Sequence, residues 1–121
     1  RSMTTGGSNV SIGHESMYSN ATSSHSVGIG WRALYSLNGG SSNNAIGTSS
    51  QRYNVSGTEN TSFGYQALMG QSGNDFSYNT AIGSNSQLVI TGSSIHLLVL
   101  NQCLELVVTH IQTILLWDIK H

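Results

Sequence analysis

In the first three quarters of this chain an apolar residue followed by glycine returns at a nearly fixed interval, amid polar Ser, Asn and Thr. Five units share the pattern: "NVSIGHESM" (9–17), "SVGIGWRAL" (26–34), "NNAIGTSSQ" (43–51), "NTSFGYQAL" (60–68) and "NTAIGSNSQ" (79–87). Their glycines are Gly13, Gly30, Gly47, Gly64 and Gly83, so three equal intervals are followed by one that is longer by two. A fixed period in a short chain predicts stacked structural repeats, a solenoid.

Within a unit the residue before the glycine is Ile12, Ile29, Ile46, Phe63 or Ile82, apolar and β-favouring each time. Two residues earlier stand Val10, Val27, Asn44, Thr61 and Thr80, on the same face by the period of two. This pattern predicts a short strand whose Ile and Phe point inward. Three positions after the glycine comes a small residue (Ser16, Ala33, Ser50, Ala67, Ser86), then Met17, Leu34, Gln51, Leu68 or Gln87. That half of the unit reads as a second short strand with a small inward residue. The joining segments, rich in Asn, Gly and Ser, are turn-forming.

The predicted fold is all-β: a parallel β-solenoid of 17–19-residue coils over 9–92, with 1–8 a lead-in and 93–121 an apolar tail outside the pattern. One coil buries one or two large side chains, which hardly offsets the entropy lost in ordering its whole backbone. Lateral association of chains is therefore expected to complete the core.

Composition narrows the function classes. Seven per cent charged residues and no proline are unusual for a monomeric globule. With four Lys+Arg and a net charge of -1 the chain lacks the clustered cations that bind phosphate backbones, so nucleic acid is not an expected partner. Lone Cys103 permits no internal disulfide and fits no paired-cysteine zinc spacing. No basic-then-apolar leader is evident, and the opening "RSMTTGGSN" reads as a piece of something longer.

The motifs "NTAIG", "NTSFGYQAL", "NNAIG" and "NVSIG" resemble repeats of bacteriophage tail-fibre proteins and related bacterial surface proteins, and more loosely the head repeats of trimeric autotransporter adhesins. The resemblance covers residues 9–87. It implies a left-handed parallel β-roll or related solenoid, three chains around one axis, and a role in attachment to a cell surface. The adhesin heads have shorter repeats than those of this chain. Nothing in the chain resembles the self-cleaving chaperone that ends many such fibres.

After Ser94 the chain has no Ser and no Gly, and seven of its eleven leucines follow. Asn101, Gln102, Glu105, His110 and Gln112 interrupt this stretch well short of the ~20 apolar residues of a membrane span, so no membrane insertion is expected. Reading the nucleotides for residues 94–121 one base earlier, with permitted codon choices, yields "NTFIGTQSMSGTGSNSYSNNTALGYQA". Trp117 before Asp118 forces Gly in that frame, and Asp118 before Ile119 allows only Tyr or His. The repeat motif then appears twice more, its glycines separated by the same interval as Gly64 and Gly83. The tail is accordingly expected to be a frameshifted continuation of the repeats; a genuine capping element is the alternative.

No constellation argues for catalysis, and no enzyme activity, metal or cofactor is expected. His14 with Glu15, and His25, read as exposed turn residues; Cys103 with His110, and His96 and His121, fall in the tail. "GIG" (28–30) and "NGG" (38–40) open no helix and carry no phosphate-binding Lys. Asn9, Asn20, Asn54 and Asn60 begin glycosylation sequons of the kind an Asn/Ser/Thr-rich chain produces by chance. The position after each key glycine holds His14, Trp31, Thr48, Tyr65 and Ser84; Trp31 and Tyr65 are candidates for stacking on sugar rings, with packing between chains or coils as the alternative.

The expected function is structural: a stiff trimeric shaft or receptor-proximal module of a phage tail fibre, on the virion, for host-cell attachment. The alternative is a bacterial surface adhesin head that binds glycan or matrix. Self-association is the expected partnership, with a host-surface glycan or protein receptor beside it. The row Val10, Val27, Asn44, Thr61, Thr80 is too irregular for an ice-binding face.

Overall fold

The computed structural model describes residues 6–72 and 75–90, with their side chains as far as Ser86, and the strands at 96–98, 104–108 and 114–115. Among the described residues nine short strands run β1 (Val10–Ile12), β2 (Val27–Ile29), β3 (Asn44–Ile46), β4 (Thr61–Phe63), β5 (Thr80–Ile82), β6 (Ser86–Ile90), β7 (His96–Leu98), β8 (Leu104–Val108) and β9 (Ile114–Leu115). Seven form one parallel sheet in the order β1-β2-β3-β4-β5-β7-β9, and β6 pairs with β8 in a second. The register is that of the repeat: Ile12 lies against Ile29, Ile29 against Ile46, Ile46 against Phe63, Phe63 against Ile82. The chain is thus a β-solenoid whose four coils between β1 and β5 stack with the sequence period, at roughly 4.8 Å per coil.

The facing of the strands reverses the expectation. The central residue of each strand from β2 to β5, Gly28, Ala45, Ser62 and Ala81, is the buried one, while Ile12, Phe63 and Ile82 are 58, 55 and 39% exposed. The reason is the thinness of the coil. A Cβ added at Gly28 would stand 2.9 Å from Ser16 Oγ and 3.0 Å from Met17 Cγ, so the opposite wall leaves room only for a small residue. The interior is filled from the other side by Met17, Leu34, Leu37 and Leu68, and by Phe76 in the last coil, all buried.

The expected second strand is absent from the first four units and present in the fifth, where β6 begins at Ser86. After each glycine the chain first makes a turn, in which Ser16, Ala33, Ser50, Ala67 and Ser86 donate their N–H to the carbonyl of Gly13, Gly30, Gly47, Gly64 and Gly83 at 3.2–3.3 Å. The residues two and four places after the glycine adopt positive φ without being glycine: Glu15 and Met17, Arg32 and Leu34, Ser49 and Gln51, Gln66 and Leu68. The left-handed conformation there turns a small side chain and the next large one into the interior. Backbone bonds continue between coils through these turns, from Leu34 N–H to Ser50 O and from Gln66 N–H to Thr48 O, so each such residue is held by its neighbours above and below. This stacking is what stabilises a conformation that costs about 1 kcal/mol or more in isolation.

A buried polar ladder runs up one corner, four residues before each key glycine. Ser26 N–H donates to Asn9 Oδ1, Asn43 N–H to Ser26 Oγ, Asn60 N–H to Asn43 Oδ1 and Asn79 N–H to Asn60 Oδ1, at 2.9–3.2 Å. The same amides reach across their own coils: Asn9, Asn43 and Asn60 Nδ2 donate to the carbonyls of Ser23, Gly57 and Phe76 at 2.7–2.8 Å. Buried main-chain groups of the turns are satisfied by these side chains. The third coil replaces its leucines with Gln51 and Asn54, and Gln51 Nε2 donates to Asn44 O and Ser62 Oγ at 2.9 and 3.0 Å.

The longer fourth coil, from Gly64 to Gly83, is tied back by Asp75. Its carboxylate accepts the N–H of Val55 and Ser56 at 3.0 and 2.9 Å and the Ser56 hydroxyl. Burial tends to raise this carboxyl's pKa, but the bonds from Ser56 and Val55 prevail and hold it below its ordinary value. The extra length is thereby accommodated without opening the stack.

Candidate functional site

Two faces of the solenoid are unusual for a surface. The first is the outer side of the main sheet, where residues that alternate away from the small interior form two columns. One column is Val10, Val27, Asn44, Thr61 and Thr80; the other is Ile12, Ile29, Ile46, Phe63 and Ile82. Parallel pairing in register places each residue of a column directly on the next. The second column is apolar at every coil, a contiguous strip of the kind that marks an interaction surface. These strands satisfy their backbone bonds along the stack, so the strip offers side chains rather than an open edge.

The second face lies on the turns that follow the glycines. Tyr18 and Tyr35, one coil apart, stack with ring centroids 5.2 Å apart and planes 5° from parallel. Arg32 lies 4.5 Å over the Trp31 ring and 5.2 Å from that of Tyr35, and it pairs with Glu15 of the coil before. Arg52 reaches the rings of Tyr35 and Tyr53, at 5.9 and 5.1 Å. The period positions these groups: Tyr18, Tyr35 and Arg52 occupy equivalent places after Gly13, Gly30 and Gly47.

The candidates read from the sequence fall partly on these faces. Trp31 and Tyr65 are exposed, at 43 and 50%. Trp31 belongs to the aromatic face through Arg32, whereas Tyr65 stands two coils away in the same row, beyond Thr48. His14 and His25 are exposed turn residues, and Glu15 is the partner of Arg32. Cys103, His110 and His121 lie outside the described residues, and His96 begins β7. The sequence reading misses the tyrosine–arginine face, although the separations from Tyr18 to Tyr35 and from Tyr35 to Arg52, each one period, signal it.

A cleft of about 430 Å³ opens at the first coil, lined by Ser11, Ser16, Met17 and Asn20 among others. It is the end of the described stack, where Asn20 Nδ2 is buried without a hydrogen-bond partner among the described residues. Among the described residues no three of His, Cys, Asp and Glu come together as metal ligands, and no helix is long and apolar enough to cross a membrane. No family model matches the chain, and no curated protein or solved structure matches it.

Proposed function

We propose that this chain is a non-enzymatic segment of an extracellular surface fibre, in which three copies lie side by side with their Ile/Phe strips turned to a common axis. The observation that carries the reading is the strip itself: a large apolar residue faces outward at every coil while the interior is built from small residues and a few leucines. Covering it removes five large side chains per chain from water, each contributing roughly 1–2 kcal/mol, and supplies the core that a thin coil lacks. The repeat motifs, with their resemblance to phage tail-fibre repeats, favour a stiff shaft or receptor-proximal module of a tail fibre on a virion, serving host-cell attachment. The second face, with its aromatic and cationic groups, favours the other reading, a bacterial surface adhesin head.

Placing a charge at the centre of the strip tests the assembly. Ile46→Lys, midway along the strip, is expected to reduce the particle mass in light scattering from three chains to one. Ser36→Lys, on the turn side of the solenoid, leaves it at three. An unchanged mass for Ile46→Lys would remove the strip from the assembly.

We further propose that the tail encodes displaced repeats. Leu98 lies against Ile82 in the main sheet. In the frame one base earlier, the codon ending on the second base of Leu98 reads as the Ile that precedes glycine. Sequencing the gene across the codons for residues 88–96 is expected to show a single-base change there against sister genes. An intact frame whose bases do not spell the repeat contradicts it.

A further inference from the structure

We infer that the face formed by Tyr18, Trp31, Arg32, Tyr35, Arg52 and Tyr53 is a binding site for an acidic polysaccharide, its carboxylate meeting Arg52 and its pyranose rings lying on the aromatic side chains. The inference rests on the attachment reading only for why such a polymer is encountered.

Charge distribution is the first argument. Both arginines among the described residues sit on this face, in a chain whose Lys+Arg total is four. They are not equivalent. Arg32 is neutralised by Glu15, whereas Arg52 has no carboxylate within ion-pair distance among the described residues. Its Nε is buried with no hydrogen-bond partner among the described residues. A guanidinium held beside Tyr35 and Tyr53 without a counter-charge favours an anion, and its fixed planar fork matches a carboxylate.

Ring geometry is the second argument. The near-parallel Tyr18–Tyr35 pair spans two coils, and the aromatic surface continues through the arginines to Trp31 and Tyr53. Tyr18 and Trp31 are 49 and 43% exposed, so aromatic surface remains available outside these contacts. Aromatic faces with polar tips suit the apolar faces of sugar rings, and their two side-chain torsions cost little to order. A neutral sugar would use the rings and leave Arg52 uncompensated. A nucleic acid would meet too few cations. A uronic or sialic acid polymer uses both features.

The test is calorimetric titration of the full chain with oligogalacturonate and with oligosialate, beside the methyl ester of each and polyglutamate. At least one of the two acidic glycans is expected to bind. Esterification of the bound glycan, which keeps its rings and removes its charge, is expected to weaken binding by about tenfold, the loss of one charged hydrogen bond. Arg52→Gln, checked for an unchanged melting temperature, is expected to do the same, and Tyr35→Leu to weaken acid and ester alike.

Absence of binding by both acidic glycans overturns the inference. So does an ester that binds as well as its acid, or polyglutamate that binds as tightly as either glycan. The comparison of acid with ester needs no variant, so a variant that fails to fold does not decide the matter. Particle mass is recorded in the same samples: loss of glycan binding with three chains retained removes this site alone and leaves the fibre reading standing.

Discussion

Gly47→Ala is expected to destabilise the protein by about 4 kcal/mol, the upper range for a single substitution. A Cβ there would meet the Gly64 carbonyl oxygen at 2.2 Å and its carbon at 2.6 Å, with Tyr65 N at 3.2 Å. All three are main-chain atoms of the next coil, and none can swing aside. Gly47 also holds φ at 130°, where a side chain is strained whatever the space. Relief requires the coils to part at β3 and β4, where Gly64 N–H donates to Ile46 O at 2.8 Å. Gly39→Ala is the control: its nearest atom would be Ser56 Cβ at 3.7 Å, and its effect is expected within about 0.5 kcal/mol. Denaturant titration of both variants measures the contrast, and similar midpoints for the two would refute the steric account of the glycine column.

Asn60→Ala is expected to cost about 3 kcal/mol. The Asn60 amide donates to Asn43 Oδ1 and Phe76 O at 2.9 and 2.7 Å and accepts from Asn79 N–H and Asn79 Nδ2 at 3.1 Å each. Truncation leaves the Phe76 carbonyl and the Asn79 N–H without these bonds inside the stack, each costing roughly 1–3 kcal/mol. Asn38→Ala offers the comparison, since exposed Asn38 uses its side chain to accept one bond from Ala21 N–H at 3.1 Å. It is expected to cost less than about 1 kcal/mol. Equal losses at the two positions, by the same titration, would show that the ladder contributes no more than a surface turn.

Much of the architecture is legible in the sequence, because a solenoid writes each structural position once per coil. The spacing of Gly13, Gly30, Gly47, Gly64 and Gly83 gives the stacking register of β1 to β5, including the longer fourth coil. Which face is inside is not legible from alternation alone. In a strand as short as β3 the pattern of Ile46 and Asn44 about Ala45 fits either orientation. What decides is the coil's narrow cross-section, and that depends on Leu34 and Leu68 reaching in from the opposite wall. The assumption that large apolar residues seek the interior of their own chain holds for Leu34, Leu37 and Leu68 and fails for Ile12, Phe63 and Ile82.

The missing second strand of the first four units has a different origin. Positive φ at Glu15, Met17, Arg32 and Leu34 carries no sequence mark, since these residue types do not favour it; neighbouring coils impose it through backbone bonds. The Asn ladder does carry a mark, Asn9, Asn43, Asn60 and Asn79 each four residues before a glycine, but asparagine reads equally as a turn residue. For the candidate site, Trp31 and Tyr65 are legible as exposed row members, while the role proposed for Arg52 rests on the absence, among the described residues, of a carboxylate within ion-pair distance, which only the three-dimensional arrangement exposes.

The central claim is that the apolar strip on the main sheet is covered by identical chains. Equilibrium sedimentation of the unmodified protein tests it most directly. The expected result is a single species at three times the mass of the 12.9 kDa chain. A stable, folded species at the mass of one chain, with its Ile12–Ile82 strip open to water, would contradict it.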